Sequence, residues 1–394
     1  MNFSKRMDRF GDEVFLALDE RKRALEREGK KLFNLSIGTP DFEPPLAVRK
    51  ALAEAAMDPA NWRYALRDTD ELLSAVCDYY ARRFGVVITP DQIASCYGSQ
   101  EGMGHISLVL CDEGDTVLLP SPCYPVFIAG AKMAGAEPWY YPMTKESGFL
   151  PRFSEIPEEV ARRAKYMIVS LPSNPMGSVG TPELYRELID FAKRYDILIL
   201  HDNAYSDILY DGREGGSFLA YKGAAEVGCE FFSLSKSFNL TGARISFLIG
   251  RRDVVAAFKK LRSQIDFGMF LPVQKAAVAA LRGPREPVLR QCANYEARRN
   301  ALCDGLTAIG WDTPRNAGSM FVWAKIPEGF ETSAAFCLAL MERAGVVCTP
   351  GSGFGPLGEG YVRFALVLPP EELKKAVKAI DESGILKNKG ESGR

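Results

Sequence analysis

The sequence predicts an α/β protein: a large doubly wound domain around a mainly parallel sheet, joined to a smaller α+β domain. Three observations predict it. Between about residues 90 and 250, short apolar runs alternate with helical patterns, as they do when a parallel sheet is covered on both faces. The chain has 394 residues, more than one hydrophobic core usually serves. Beyond Gly283-Pro284 the alternation gives way to interleaved helices and strands. The expected division is 45–284 for the large domain, with 1–44 and 285–394 forming the small one.

Residues 15–30 read as a charge-rich amphipathic helix with Gly29 near its end. A short apolar run at 32–37 is broken by Gly38-Thr39-Pro40-Asp41. Buried strands are expected at 116–119, 166–171, 197–201, 231–234 and 245–249. Thr181 and Pro182 open a helix as N-cap and first-turn residue, and Leu184, Leu188, Phe191 and Ala192 form its apolar face. Residues 254–282 are largely helical, interrupted near Gly268 and Pro272. Further on come a helix at 296–306, a strand at 320–324, a helix at 334–344, and strands at 346–349 and 362–366. The polar tail 387–394 is expected to fray.

Composition narrows the chemistry. A net charge of -1 gives no general attraction to nucleic acid or an anionic membrane. No apolar run approaches the roughly 18 residues of a membrane span, and residues 1–12 lack the apolar centre of a signal peptide, which together suggest the cytoplasm. Nine cysteines without a Cys-x-x-Cys pair read as reduced thiols packed as small hydrophobes. Two histidines, His105 and His201, exclude a multi-histidine metal site and leave few candidates for a catalytic triad. No metal is expected, so the chemistry falls to other groups or to a cofactor.

Lys236 stands out in Ser233-Leu234-Ser235-Lys236-Ser237-Phe238, directly after an apolar run. Desolvation there lowers a lysine's pKa and frees its amine as nucleophile or base, the state required for a Schiff base with a carbonyl cofactor. In an open α/β sheet, ligands collect at the carboxyl ends of the strands. Asn174, Asp202, Tyr205 and Lys236 each follow a strand-like run, so parallel neighbours would bring all four into one crevice. Gly98-Ser99-Gln100-Glu101-Gly102 precedes a helical stretch at 106–110, an arrangement that exposes backbone N–H groups to an anion. Ser233, Ser235 and Arg244 add donors. Singly, each has a plainer reading: a bare turn at Gly98, a surface ion pair at Arg244, a helix cap at Asp202, a core aromatic at Tyr205.

In combination the chain resembles the class I/II aminotransferases, fold-type I enzymes that use pyridoxal 5′-phosphate. The resemblance spans residues 34–366. It rests on Gly38 in Ile-Gly-x-Pro-Asp, Tyr64, Gly98-Ser99, Ser121-Pro122-Cys123-Tyr124-Pro125, Asn174-Pro175-x-Gly177, Asp202-x-x-Tyr205, Ser233-x-Ser235-Lys236, Gly242-x-Arg244 and Arg363. The subgroup of alanine and LL-diaminopimelate aminotransferases is the nearest, through 98–105, Tyr205-Ser206-Asp207-Ile208 and Pro350-Gly351-Ser352-Gly353-Phe354-Gly355. The resemblance implies a homodimer that moves an amino group from an L-amino acid to a 2-oxo acid by a ping-pong route. It implies that Lys236 holds the cofactor and shuttles a proton, while Asp202 faces the ring nitrogen. Asn174 and Tyr205 would bind the ring oxygen, and Tyr124 would stack on the ring. Ser99, Gln100, Ser233, Ser235 and Arg244 would hold the phosphate, with Tyr64 reaching in from the other subunit. Arg363, Asn174 and the backbone at Gly38 would bind the substrate carboxylate.

Some positions depart from the family pattern. Thr69 stands where a glycine is common, Gln100 where lysine is frequent, Met176 for a threonine, and Ala243 for a tryptophan. Two rivals share the cofactor: a carbon–sulfur lyase, since lysine, aspartate and arginine serve the cofactor rather than the choice of bond, and a non-catalytic amino-acid sensor. The sensor has no DNA-binding extension or basic patch to support it, and an NAD-binding protein lacks its Gly-x-Gly-x-x-Gly. Alanine, aspartate, glutamate and LL-diaminopimelate are the candidate donors. Arg63 and Arg67 are candidates for a second substrate carboxylate, and Asp266 for a distal ammonium.

Overall fold

A computed structural model describes residues 2–10 and 13–387. The tail expected to fray, from 388 onward, lies outside the described residues. Seven strands form the central sheet: β1 (Ile93–Cys96), β2 (Thr116–Ser121), β3 (Glu137–Pro142), β4 (Ala164–Ser170), β5 (Leu198–Asp202), β6 (Gly228–Ser233) and β7 (Ser246–Gly250). Their order is β1-β7-β6-β5-β4-β2-β3. All run parallel except β7, which is antiparallel to both β6 and β1. The five expected strands are therefore neighbours, and one of them is reversed.

The sheet is apolar on both faces, as a covered parallel sheet must be. Within β6, Phe231 packs into one core beside Ile106, Phe127 and Phe258, and Phe232 packs into the opposite core beside Tyr79, Tyr80 and Leu234. The helices include α1 (Glu13–Arg27), α2 (Ser99–Leu110), α3 (Pro182–Tyr195) and α4 (Leu234–Ser237). In α3 the Thr181 hydroxyl accepts from the Leu184 N–H, and Leu184, Leu188, Phe191 and Ala192 are buried as their spacing requires. Helix α2 begins at Ser99, well before the expected stretch at 106–110. Leu234, expected to end a strand, instead opens the single turn of α4.

A third core gathers Leu35, Tyr295, Trp311, Phe321, Phe336, Phe364 and Leu373. It holds the antiparallel strands Phe321–Lys325, Tyr361–Ala365 and Thr349–Pro350, covered by the helices Glu286–Ala308, Ser333–Ala344 and Pro370–Glu382. Residues Phe33–Asn34 pair in parallel with Val346–Val347, which ties the N-terminal segment to this region. No described helix is long and apolar enough to cross a membrane.

Candidate active site

The parallel strands end on one edge, and their loops line a cavity of about 750 Å³. Strand β5 delivers Asp202 and, one turn later, Tyr205. The loop after β4 brings Asn174, the loop after β2 brings Tyr124, and α4 after β6 brings Lys236. The reversal of β7 has a consequence here. Because β7 starts at this edge, Arg244 enters from the chain leading into it.

Lys236 is half-buried, and its Nζ donates to the Gly38 carbonyl at 2.5 Å. Burial, then the charges of Arg363 and Arg244, push its pKa down to about 8. Among the described residues no carboxylate pairs with it. Asp202 is buried; it accepts from the Ser170 hydroxyl at 3.1 Å and from the Ala204 N–H at 3.3 Å. Burial raises its pKa, opposed by the Ser170 bond and by His201. A carboxylate in that state is short of a cation.

His201 points to the other face of the sheet, since neighbouring strand residues alternate. There its Nε2 meets the Tyr185 hydroxyl at 3.1 Å, and its Nδ1 lies 3.3 Å from Glu230 without hydrogen-bond alignment. His105 pairs with Glu101 at 2.7 Å on the surface of α2.

One end of the cavity is built for an anion. Gly98 precedes α2 with φ +83 and offers no side-chain cap, so among the described residues the Ser99 and Gln100 N–H groups are left without a partner, at two residues that line the cavity. The Ser99 hydroxyl is buried with no partner among the described residues. Arg244 hangs above, bonded to the carbonyls of Thr241 at 2.9 Å and Tyr97 at 3.2 Å. A Cβ on Gly98 would overlap the Arg244 guanidinium. Gly98→Ala should therefore weaken binding of a phosphate-bearing ligand about tenfold or more, through both backbone strain and the displaced arginine. An equilibrium titration would measure it, and an unchanged dissociation constant would remove this cradle from the account. Ser233 caps α4 through the Ser235 N–H at 3.1 Å, and both serines line the cavity. The Gln100 side-chain oxygen Oε1 accepts from the Tyr124 hydroxyl at 3.0 Å, fixing the ring of Tyr124 at the cavity wall.

The other end holds Arg363. It is buried, donates to Asn174 Oδ1 at 3.0 Å and to the Ser36 carbonyl at 2.8 Å, and lies 4.1 Å from the Phe321 ring centroid and 4.7 Å from that of Phe354. Its Nε is unpartnered, and among the described residues no carboxylate neutralises it. Burial pushes its pKa down to about 10. A buried guanidinium without an anion is costly unless a ligand supplies one. Gly38 lies close because it lacks a side chain: a Cβ there would sit 2.5 Å from the Phe321 ring.

Tyr64 is the exception. It is 78% exposed, lies outside the cavity of its own chain, and packs on Phe267 with ring centroids 4.9 Å apart. Arg63 and Arg67 are exposed and do not line the cavity. Asp266 clamps Arg262 at 2.8 Å and accepts from the Gly268 N–H, so its charge is engaged away from the cavity. The sequence did not single out Ser170, Thr349, Phe321 or Phe354. Ser170 is directly paired with Asp202 across β4 and β5, and the polar end of an apolar strand was its only signal.

The family model for aminotransferase class I and II matches residues 30–380. A protein named LL-diaminopimelate aminotransferase from Dehalococcoides mccartyi is 38% identical over 379 residues, covering 96% of this chain and 97% of the relative. One of the same name from Moorella thermoacetica is 39% identical over 384 residues, covering 96% and 98%. Among solved structures, a probable N-succinyldiaminopimelate aminotransferase from Thermus thermophilus superposes with a TM-score of 0.89 at 38% identity, over 94% of this chain and all of the other.

Proposed function

The chain belongs to the class I and II aminotransferases, enzymes dependent on pyridoxal 5′-phosphate, and from that premise we propose how its residues divide the reaction and which donor they take. The cavity suits the cofactor. The unpartnered Ser99 hydroxyl and the glycine-lined start of α2 match a phosphate, and the buried, cation-short Asp202 matches a protonated ring nitrogen. When bound, the cofactor supplies a carbonyl carbon for the donor's amine and a ring that accepts electrons from the donor's α-carbon.

Lys236 is the catalytic amine. Its amine would hold the cofactor in the resting enzyme and, when free, would serve as the base for the proton on the donor's α-carbon. Its lowered pKa suits both tasks near neutrality. Asp202 keeps the proton on the ring nitrogen, and Ser170 keeps Asp202 aimed. Asn174 and Tyr205 bind the ring oxygen, and Tyr124 stacks on the ring. Ser99, Ser233, Ser235, Arg244 and the N–H groups at Gln100 hold the phosphate. Arg363 takes the α-carboxylate, which supplies the anion its surroundings lack. The Gly38 carbonyl, which accepts from Lys236 Nζ, lines the same cavity.

The observation that carries this reading is the presence, in one cavity, of a lysine and an arginine that no carboxylate neutralises among the described residues, together with the buried Asp202. We read residues 45–284 as the large domain and 1–44 with 285–394 as the small one, so that the substrate carboxylate lies at their junction. The enzyme is read as a cytoplasmic homodimer. Exposed Trp62, Tyr64, Leu66, Phe267 and Phe270 form an apolar patch of the kind a second copy covers, with Tyr64 then reaching the partner's phosphate site. A monomeric mass in solution would refute that arrangement.

LL-diaminopimelate is the proposed donor, with a 2-oxo acid as acceptor, on the strength of the relatives' names. Incubating the holoenzyme with single donors and following loss of the visible band of the lysine-bound cofactor tests it. LL-diaminopimelate should react with the highest kcat/KM. A higher value for alanine, aspartate or glutamate would overturn the donor assignment while leaving the reaction class intact.

A further inference from the structure

Six charged side chains line the cavity: Asp19, Lys22, Asp202, Lys236, Arg244 and Arg363. The last four have roles above. Asp19 and Lys22 do not, and both come from α1, where a spacing of three places them on one face. Lys22 Nζ donates to Asp19 Oδ1 at 2.9 Å, and the Lys22 side chain is only 15% exposed. Arg23 reaches the other carboxylate oxygen at 2.8 Å from the solvent side, where it is 71% exposed.

The helix is anchored where it passes the cavity. Leu25 is buried against Met341 and Val347, and Val347 is itself part of the cavity wall. Arg21 pairs with Glu342 at 2.8 Å. The two charges are therefore presented to the cavity by a segment fastened to its wall, and Leu18 beside them supplies apolar contact.

We propose that Asp19 and Lys22 form a distal subsite for a donor whose far end carries a carboxylate and an ammonium on one carbon. Lys22 takes the distal carboxylate and Asp19 takes the distal ammonium through the lone pairs its two cations leave free. An ammonium and a carboxylate held at hydrogen-bond distance complement the head group of an amino acid. A donor with one distal charge satisfies half of the pair, and alanine satisfies neither. The assignment rests on the diaminopimelate reading above and adds the residues that would enforce it.

The test uses the holoenzyme with Lys22→Met and Asp19→Asn, each close in shape to the original and lacking its charge. The readout is the ratio of kcat/KM for LL-diaminopimelate to that for alanine, with the donor dissociation constant taken from the spectral titration. Each variant should lower the ratio about 10- to 100-fold, the loss of one charge-assisted hydrogen bond, and the change should lie in binding. Lys22→Arg should restore most of it. A ratio unchanged in both variants would overturn the subsite, because a purely structural role for α1 moves both donors together. If the unaltered enzyme refuses LL-diaminopimelate, the donor reading fails by itself. The subsite is then decided on glutamate: Lys22→Met must lower glutamate relative to alanine, and equal effects would overturn it.

Discussion

Lys236→Ala is expected to leave a protein that holds pyridoxal phosphate only noncovalently and transaminates about 10⁴-fold more slowly or worse. On the proposed roles, two functions would be lost together: the amine that fixes the cofactor and the base that moves the α-proton. Such losses do not add as independent terms, since both depend on one nitrogen. The fold should survive, because Lys236 sits on a single helical turn whose cap is the Ser233 hydroxyl and whose carbonyl at position 236 is held by Gln291. A companion result comes from pH. In the cofactor-free protein the neutral amine is the reactive form, so capture of the cofactor should accelerate as pH rises to about 8 and then level off. A lysine with its ordinary value would keep accelerating toward 10.5. Stopped-flow absorbance resolves the two, and wild-type turnover in the alanine variant would discard the assignment.

Asp202→Asn carries the second large effect, a fall in the half-reaction rate of about 10²- to 10⁴-fold. An amide cannot keep a proton on the ring nitrogen, so the ring loses much of its capacity to accept electrons from the α-carbon. Donor binding should change little, because Arg363, the proposed anchor of the α-carboxylate, is left intact. Stability gives an independent check with a definite sign. Burial raises the folded-state pKa of Asp202, so in the cofactor-free protein this group favours folding at low pH. That contribution disappears as pH rises through the carboxyl range. At neutral pH its buried charge is a cost that asparagine removes. The cofactor-free variant should melt no lower than the parent, and the cofactor should raise its melting temperature less. A variant that melts lower without cofactor and reacts at the parent rate would contradict both the burial argument and the role.

The sequence was most legible where physics leaves the fewest choices. Central strands are covered on both faces, so β2, β4, β5, β6 and β7 read as unbroken apolar runs. The two strands it did not reveal, β1 and β3, are the edges of the sheet. Edge strands tolerate polar residues and proline, and β3 carries Pro138 and Pro142 while β1 has only four residues. The direction of β7 was also illegible, since an apolar run has no polarity. Helix Pro370–Glu382 was overlooked although Leu373, Ala376, Val377 and Ile380 carry the helical period.

Within the site, Lys236, Asp202, Tyr205 and Asn174 were readable because each follows its strand directly. The neighbours that tune them come from distant segments. Thr349 bonds the Ser36 carbonyl across 313 positions of sequence, and Phe321 stacks on Arg363 from an adjacent strand. Such partnerships depend on tertiary register, which local patterns do not encode. Tyr64 does not line its own chain's cavity.

The most direct measurement is borohydride reduction of the holoenzyme followed by peptide mapping, with and without prior exposure to donor. The resting enzyme should carry the phosphopyridoxyl group on Lys236 alone. Incubation with LL-diaminopimelate should abolish the label, and a 2-oxo acid should restore it. A label on another lysine, or one that donor and acceptor leave unchanged, would contradict the account.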